Sequence, residues 1–172
     1  IASNTGLQSM SITTGALTGF SRTGNFSDAI FDGSGRLFTA AVNSNGVQQI
    51  SDVGGLVATL LTTTGNDGLA VSSATGDIYA ANFTSKSITR IDGATFATSL
   101  FATGVAFDGG FYPSAMAFSN DGGSLYYFEE GEALHRIDGF STEVAALPEP
   151  GMIAVLGFGL AGLGLMRRRQ AA

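Results

Sequence analysis

The chain has no cysteine, no tryptophan and a single histidine, and only 13% of its 172 residues carry charge. Without cysteine there is no disulfide framework, no thiolate nucleophile and no cysteine-ligated zinc or iron–sulfur centre. One histidine excludes a multi-histidine metal centre. An ordinary soluble domain is about 25% charged, so long surface helices, which draw on Glu, Lys and Arg, are disfavoured. What the chain does have is 25 glycines, 34 serines and threonines and 44% hydrophobic residues. That apolar content is too high for disorder, and the Gly, Ser and Thr supply suits a turn-rich β protein. The length allows one sizeable core and argues against two full domains.

Charge is divided unevenly. The overall net charge is −6, yet residues 1–150 hold all 14 acids and only five bases (Arg22, Arg36, Lys86, Arg90 and Arg136), a net of −9. The remaining residues hold no acid and three consecutive arginines, Arg167, Arg168 and Arg169. An acidic body has no counterion-release route to nucleic acid, which excludes DNA and RNA as expected partners.

The arginines follow a 16-residue run, Gly151 to Met166, with no polar side chain. As a helix this run would be about 24 Å long. A hydrocarbon core is about 30 Å thick, and snorkelling arginine stems with local thinning close the gap. A buried core helix could have this length but rarely ends in three bare arginines. The arrangement predicts a transmembrane helix from Gly151 to Met166, with Arg167–Arg169 as its cytoplasmic stop and the body on the far side of the membrane. Before the run stands Pro148-Glu149-Pro150. Two prolines around one residue forbid helix and hold the backbone extended, a form that a processing enzyme can grip.

Pro-Glu-Pro, a short Gly/Leu-rich apolar run and an arginine cluster, in that order over residues 147–169, closely resemble the PEP-CTERM sorting signal of Gram-negative bacteria. The resemblance implies that Pro148, Glu149 and Pro150 are recognised by an exosortase, a membrane-embedded, transpeptidase-like cysteine enzyme. This chain would be its client, exported through an N-terminal signal peptide by an exopolysaccharide-producing cell. Gly157-Phe-Gly159-Leu-Ala-Gly162 also satisfies G-x-G-x-x-G, but ten residues remain after it. A dinucleotide fold needs a helix, a second strand and an acid about 20 residues on, so that reading is rejected.

Residues 1–147 contain a degenerate repeat. One copy reads Asp28-Ala-Ile-Phe31, Gly35-Arg-Leu-Phe38, Val47-Gln-Gln-Ile50; the second Gly68-Leu-Ala-Val71, Gly76-Asp-Ile-Tyr79, Ile88-Thr-Arg-Ile91; the third Ala115-Met-Ala-Phe118, Gly123-Ser-Leu-Tyr126, Leu134-His-Arg-Ile137. Gly35, Gly76 and Gly123 are spaced 41 and 47, which fits an insertion around Ala106–Pro113. A further strand, Gly55–Leu61 or Thr95–Phe101, ends the first two copies. Alternation such as Leu37/Thr39 and Ile78/Ala80 has the strand period of two, and Asp32-Gly33, Asn45-Gly46 and Asp121-Gly122-Gly123 supply turn chemistry.

Four strands per roughly 40–45 residues is a propeller-blade signature. The Gly-x-Ile/Leu-Tyr/Phe pattern resembles NHL-type and lactonase-like propellers; β-helix and sandwich arrangements also accommodate the repeat. The expected fold is therefore all-β: a partial β-propeller of about three and a half four-stranded blades over residues 1–146, then a sorting and anchor segment over 147–172. Leu7–Ser11 aligns with Val47–Ser51 at an offset of 40, so Ile1 falls partway through a blade. With neither an initiator Met nor a signal peptide, the sequence reads as the C-terminal part of a longer one.

Candidate chemistry is sparse. His135 reads as a strand residue and not a general base. Asp52, Asp92 and Asp138 each follow an Ile and precede a turn, and read as caps of backbone N–H groups. A Ca²⁺ site would need six to eight convergent oxygens; Asp28 and Asp67, at the start of first strands, are best placed to line a central channel. Glu129-Glu130-x-Glu132 reads as a solvated hairpin loop, and Ser114 has no His/Asp partner setting. No catalytic residue and no required cofactor is expected. The function expected is that of an exported, membrane-anchored and then cell-surface or extracellular propeller binding polysaccharide or surface protein. The alternative is a secreted metal-dependent hydrolase of the lactonase-like propeller type.

Overall fold

The computed structural model describes residues 2–3, 6–23, 25–42, 46–105, 107, 115–129 and 133–140. The sorting segment with Pro148, Glu149, Pro150, Gly151, Met166 and Arg167–Arg169 lies outside the described residues, as do Asn45, Ser114, Glu130, Glu132 and most of the insertion. No helix among the described residues is long and apolar enough to cross a membrane.

The described residues form four antiparallel meanders. The first is β1 (Ala2–Ser3), β2 (Gly6–Met10) and β3 (Leu17–Thr23). The second is β4 (Phe26–Phe31), β5 (Leu37–Ala41), β6 (Gly46–Ile50) and β7 (Leu56–Leu61). The third is β8 (Asn66–Val71), β9 (Ile78–Asn82), β10 (Ser87–Ile91) and β11 (Thr98–Thr103). The fourth is β12 (Met116–Phe118), β13 (Ser124–Glu129) and β14 (Ala133–Asp138). Each strand pairs with its chain neighbour, which excludes a parallel β-helix.

The sheets stack face to face. Leu7 of the first sheet packs with Phe26, Leu37, Ala41 and Ile50 of the second. Phe38, Ala40 and Val47, on the other face of the second sheet, pack against Leu69, Ile78, Ala80 and Ile91 of the third. Tyr79, Ala81 and Ile88 then meet Leu125 of the fourth. Each large side chain so buried contributes roughly 1.5–3 kcal/mol.

This stacking explains a feature that the strand period alone misreads. β5 and β9 are buried along their whole length, whereas β7 and β11 are largely exposed. The second strands of these two blades are covered on both faces. Their alternation is therefore one of residue size, with Phe38 or Tyr79 beside paired alanines, and has no wet side.

The first strands lie innermost: β4 packs beside β8, and β8 beside β12. Both β4 and β8 open with a register shift at the same repeat position, between Phe26 and Asp28 and between Asn66 and Gly68. A bulge re-aims the side chain it carries, here Ser27 and Asp67. The β4–β5 and β8–β9 turns use Gly35 (φ 81) and Gly76 (φ 75) in the left-handed region, as the repeat predicts. In the last sheet the left-handed residue is Gly122 (φ 73), so the expected equivalence to Gly123 is one residue off. The reason is local: Asp121 accepts the Gly123 N–H at 3.1 Å and tightens the turn.

Candidate functional site at the inner strands

The two carboxylates singled out for a channel do come together. Asp28 accepts the Leu69 N–H of the next blade at 2.8 Å and its neighbour Ala29 N–H at 2.7 Å. Ser27 Oγ donates toward Asn66 O at 3.4 Å, so two adjacent side chains tie β4 to β8. Asp67 is buried, and its charge reaches Asp28. Beside them Asn66 donates to Thr63 O, and Asn82 donates to Thr64 O at 2.8 Å and to Asn66 Oδ1 at 3.3 Å.

Burial raises the Asp28 carboxyl above the ordinary 3.8. The two N–H bonds pull it down by less, and Asp67 adds a like-charge push. The folded form therefore holds its proton at pH values where the unfolded chain has lost it. Between 3.8 and the raised folded value the unfolded state binds fewer protons, and stability falls as pH rises. Asp28→Asn cannot ionise. The stability difference between Asp28→Asn and the native chain should shift in the variant's favour as denaturant titrations move from pH 4 to pH 7; a pH-independent difference would contradict this assignment.

Each Asp28 oxygen accepts one backbone N–H, and among the described residues there is no group of three or more His, Cys, Asp or Glu side chains placed to hold a metal ion.

The three aspartates after the third strands have different fates. Asp92 caps as expected, taking the N–H groups of Ala94 at 3.1 Å and Thr95 at 2.8 Å, and these bonds hold its carboxyl below the usual range. Asp52 does not cap: it is exposed, and Ser51 Oγ accepts the Gly55 N–H at 3.0 Å instead. Asp138 pairs sideways with Ser124 Oγ at 2.7 Å and with Arg136, because position 124 offers a hydroxyl in reach. His135 sits on β14 with its ring stacked on Tyr127 at 4.9 Å. Glu129 ends β13.

Sequence reading missed a clasp between the second and third sheets. Arg36 pairs with buried Asp32 at 2.6 Å, donates to Gly93 O at 2.7 Å and lies 5.1 Å above the Phe96 ring. Burial pushes the Asp32 carboxyl up, but the Arg36 contacts outweigh this and the net shift is downward. The signal was present: Arg36 stands where the other copies have Asp77 and Ser124.

The same arrangement of meanders is found in solved proteins. The chain is similar to auxiliary nutrient binding proteins from Bacteroides ovatus (TM-score 0.63, 14% identity, 80% of this chain and 34% of that one) and Bacteroides thetaiotaomicron (0.66, 11%, 80% and 34%). It is also similar to virginiamycin B lyase from Staphylococcus aureus (0.55, 12%, 78% and 49%). The described body has the fold of part of a β-propeller. No protein-family model matches the sequence, and no curated protein matches it. This propeller chain spans about a third to a half of the solved structures that it matches.

Proposed function

We propose that this chain belongs to an exported surface protein whose propeller body binds a polysaccharide or protein ligand and whose tail is a sorting signal for an exosortase. The tail carries the sorting half of the reading. Pro148-Glu149-Pro150, the apolar run from Gly151 to Met166 and Arg167–Arg169 follow the body in the order that such a signal needs. The likeness of the body to nutrient-binding propellers supports a binding role. Before processing, the body stands outside the cytoplasm and the tail holds it to the membrane. No cofactor is part of this reading.

Replacing Pro148, Glu149 and Pro150 together by alanine in the native host is the test. The expected result is accumulation of the unprocessed form in the membrane fraction and loss of surface delivery. Unchanged processing would overturn the sorting reading and leave the fold untouched.

A further inference from the structure

Among the described residues, Phe96 (φ 59) and Lys86 (φ 50) stand at positive φ although neither is glycine. That backbone is strained for any residue with a Cβ. Phe96 has packing to offset it, with its ring edge-on to Phe38 and under the Arg36 guanidinium. Lys86 has none: it is exposed at the tip of the β9–β10 hairpin. It is also the only lysine of the chain. Arg36, Arg90 and Arg136 each pair with an aspartate, whereas Lys86 makes no ion pair among the described residues. Strain that packing does not repay collects at functional positions. The frame around Lys86 is fixed. Buried Asn82 accepts the Ser85 N–H at 2.9 Å and donates to Thr64 O at 2.8 Å, while Lys86 O accepts the Val105 N–H at 3.1 Å. The Thr62–Gly65 crossing from β7 to β8 lies against this hairpin. Gly65 donates to Val42 O at 2.8 Å and accepts from the Phe83 N–H at 3.0 Å. A Cβ on Gly65 would stand 2.2 Å from Thr84 Oγ1. Thr62, Thr63, Thr64, Thr84 and Ser85 are all exposed. One ammonium and a group of hydroxyls are thus presented on a backbone that is already ordered.

We infer that this hairpin and crossing form the ligand site of the body, and that the ligand is a polysaccharide with spaced acid groups. The Lys86 ammonium takes one carboxylate, and the threonine and serine hydroxyls exchange hydrogen bonds with the sugar hydroxyls beside it. Charge sets the spacing. Residues 1–150 carry a net of −9, which repels a densely charged polyanion, while a wholly neutral chain would leave the ammonium unused. Little ordering is needed on binding, because the hairpin and crossing are hydrogen-bonded before the ligand arrives. The inference rests on the binding half of the proposed function and is independent of the sorting tail.

The test titrates the complete protein, by calorimetry, with hyaluronan, whose chain alternates acidic and neutral sugars, and with dextran, which carries no acid. Hyaluronan should bind at least about tenfold more tightly than dextran, and less tightly as salt rises. Lys86→Ala should lose at least about tenfold in hyaluronan affinity, and Lys86→Arg should keep most of it because the charge stays. Lys86→Gly separates binding from folding. It relieves the left-handed strain, so it should bind as weakly as Lys86→Ala without lowering the melting temperature. Unchanged hyaluronan binding in Lys86→Ala would overturn the site and leave the binding reading standing. Equal affinity for dextran would overturn the acid preference. No binding of either chain would overturn both the site and the polysaccharide reading. A lower melting temperature in Lys86→Gly would make the lysine a structural residue and overturn the inference.

Discussion

Gly93→Ala is expected to destabilise the body by about 3 kcal/mol, near the upper end for an overpacked site, and to lower its melting temperature by roughly 10 °C. A Cβ at position 93 would stand 2.2 Å from Gly76 O and 2.6 Å from Gly76 C, both backbone atoms of the β8–β9 turn. Nothing there is a flexible side-chain end that could swing aside. Gly93 also donates its N–H to Asp77 at 3.0 Å and accepts from Arg36 at 2.7 Å, so any shift that relieves the clash strains the clasp between two blades. Gly35→Ala is the informative contrast. It has open space but sits at φ +81, so it should lose only the left-handed strain of about 1–2 kcal/mol. Equal thermal shifts for the two variants would contradict this assignment of causes.

The second large effect is at Asp77. Its carboxylate is buried and accepts from Arg90 Nε at 2.8 Å, Thr75 Oγ1 at 2.8 Å and the Gly93 N–H. Asp77→Ala leaves the buried Gly93 N–H unpaired and takes from the Arg90 guanidinium its nearer carboxylate, leaving Asp92 at 3.6 Å, a loss of about 2–4 kcal/mol. Arg90→Ala should cost only about 1 kcal/mol, because its head is partly in water and screened there. Urea denaturation of both variants checks the ranking; Arg90→Ala as damaging as Asp77→Ala would place the anchor on the arginine instead.

These two sites mark the boundary of what a linear reading can reach. The strands of the second and third sheets fall within three residues of their predicted places, since the information is local: a glycine able to take positive φ, an aspartate or serine to close the turn, and small apolar residues on either side. The same locality located β2, because Leu7–Ser11 copies Val47–Ser51. Contacts between blades were not legible. Asp28 meets Leu69 and Arg36 meets Gly93 across gaps of 41 and 57 residues, with only packing to bring them together. Asp92 and Asp138 both directly follow an isoleucine yet do different things, whereas Asp52 stands one residue later, so Ser51 holds the equivalent position and caps there. The difference between Asp92 and Asp138 lies in which side chain stands across the strand, a hydroxyl at position 124 and a carboxylate at 77.

The central claim, that the body is delivered to the surface by a tail which an exosortase removes, is tested most directly by the intact mass of the protein recovered from the surface fraction of its native host. The account predicts a mature chain lacking Arg167, Arg168 and Arg169, with the full-length mass reappearing when the processing enzyme is deleted. A surface protein that still carries all three arginines would contradict it.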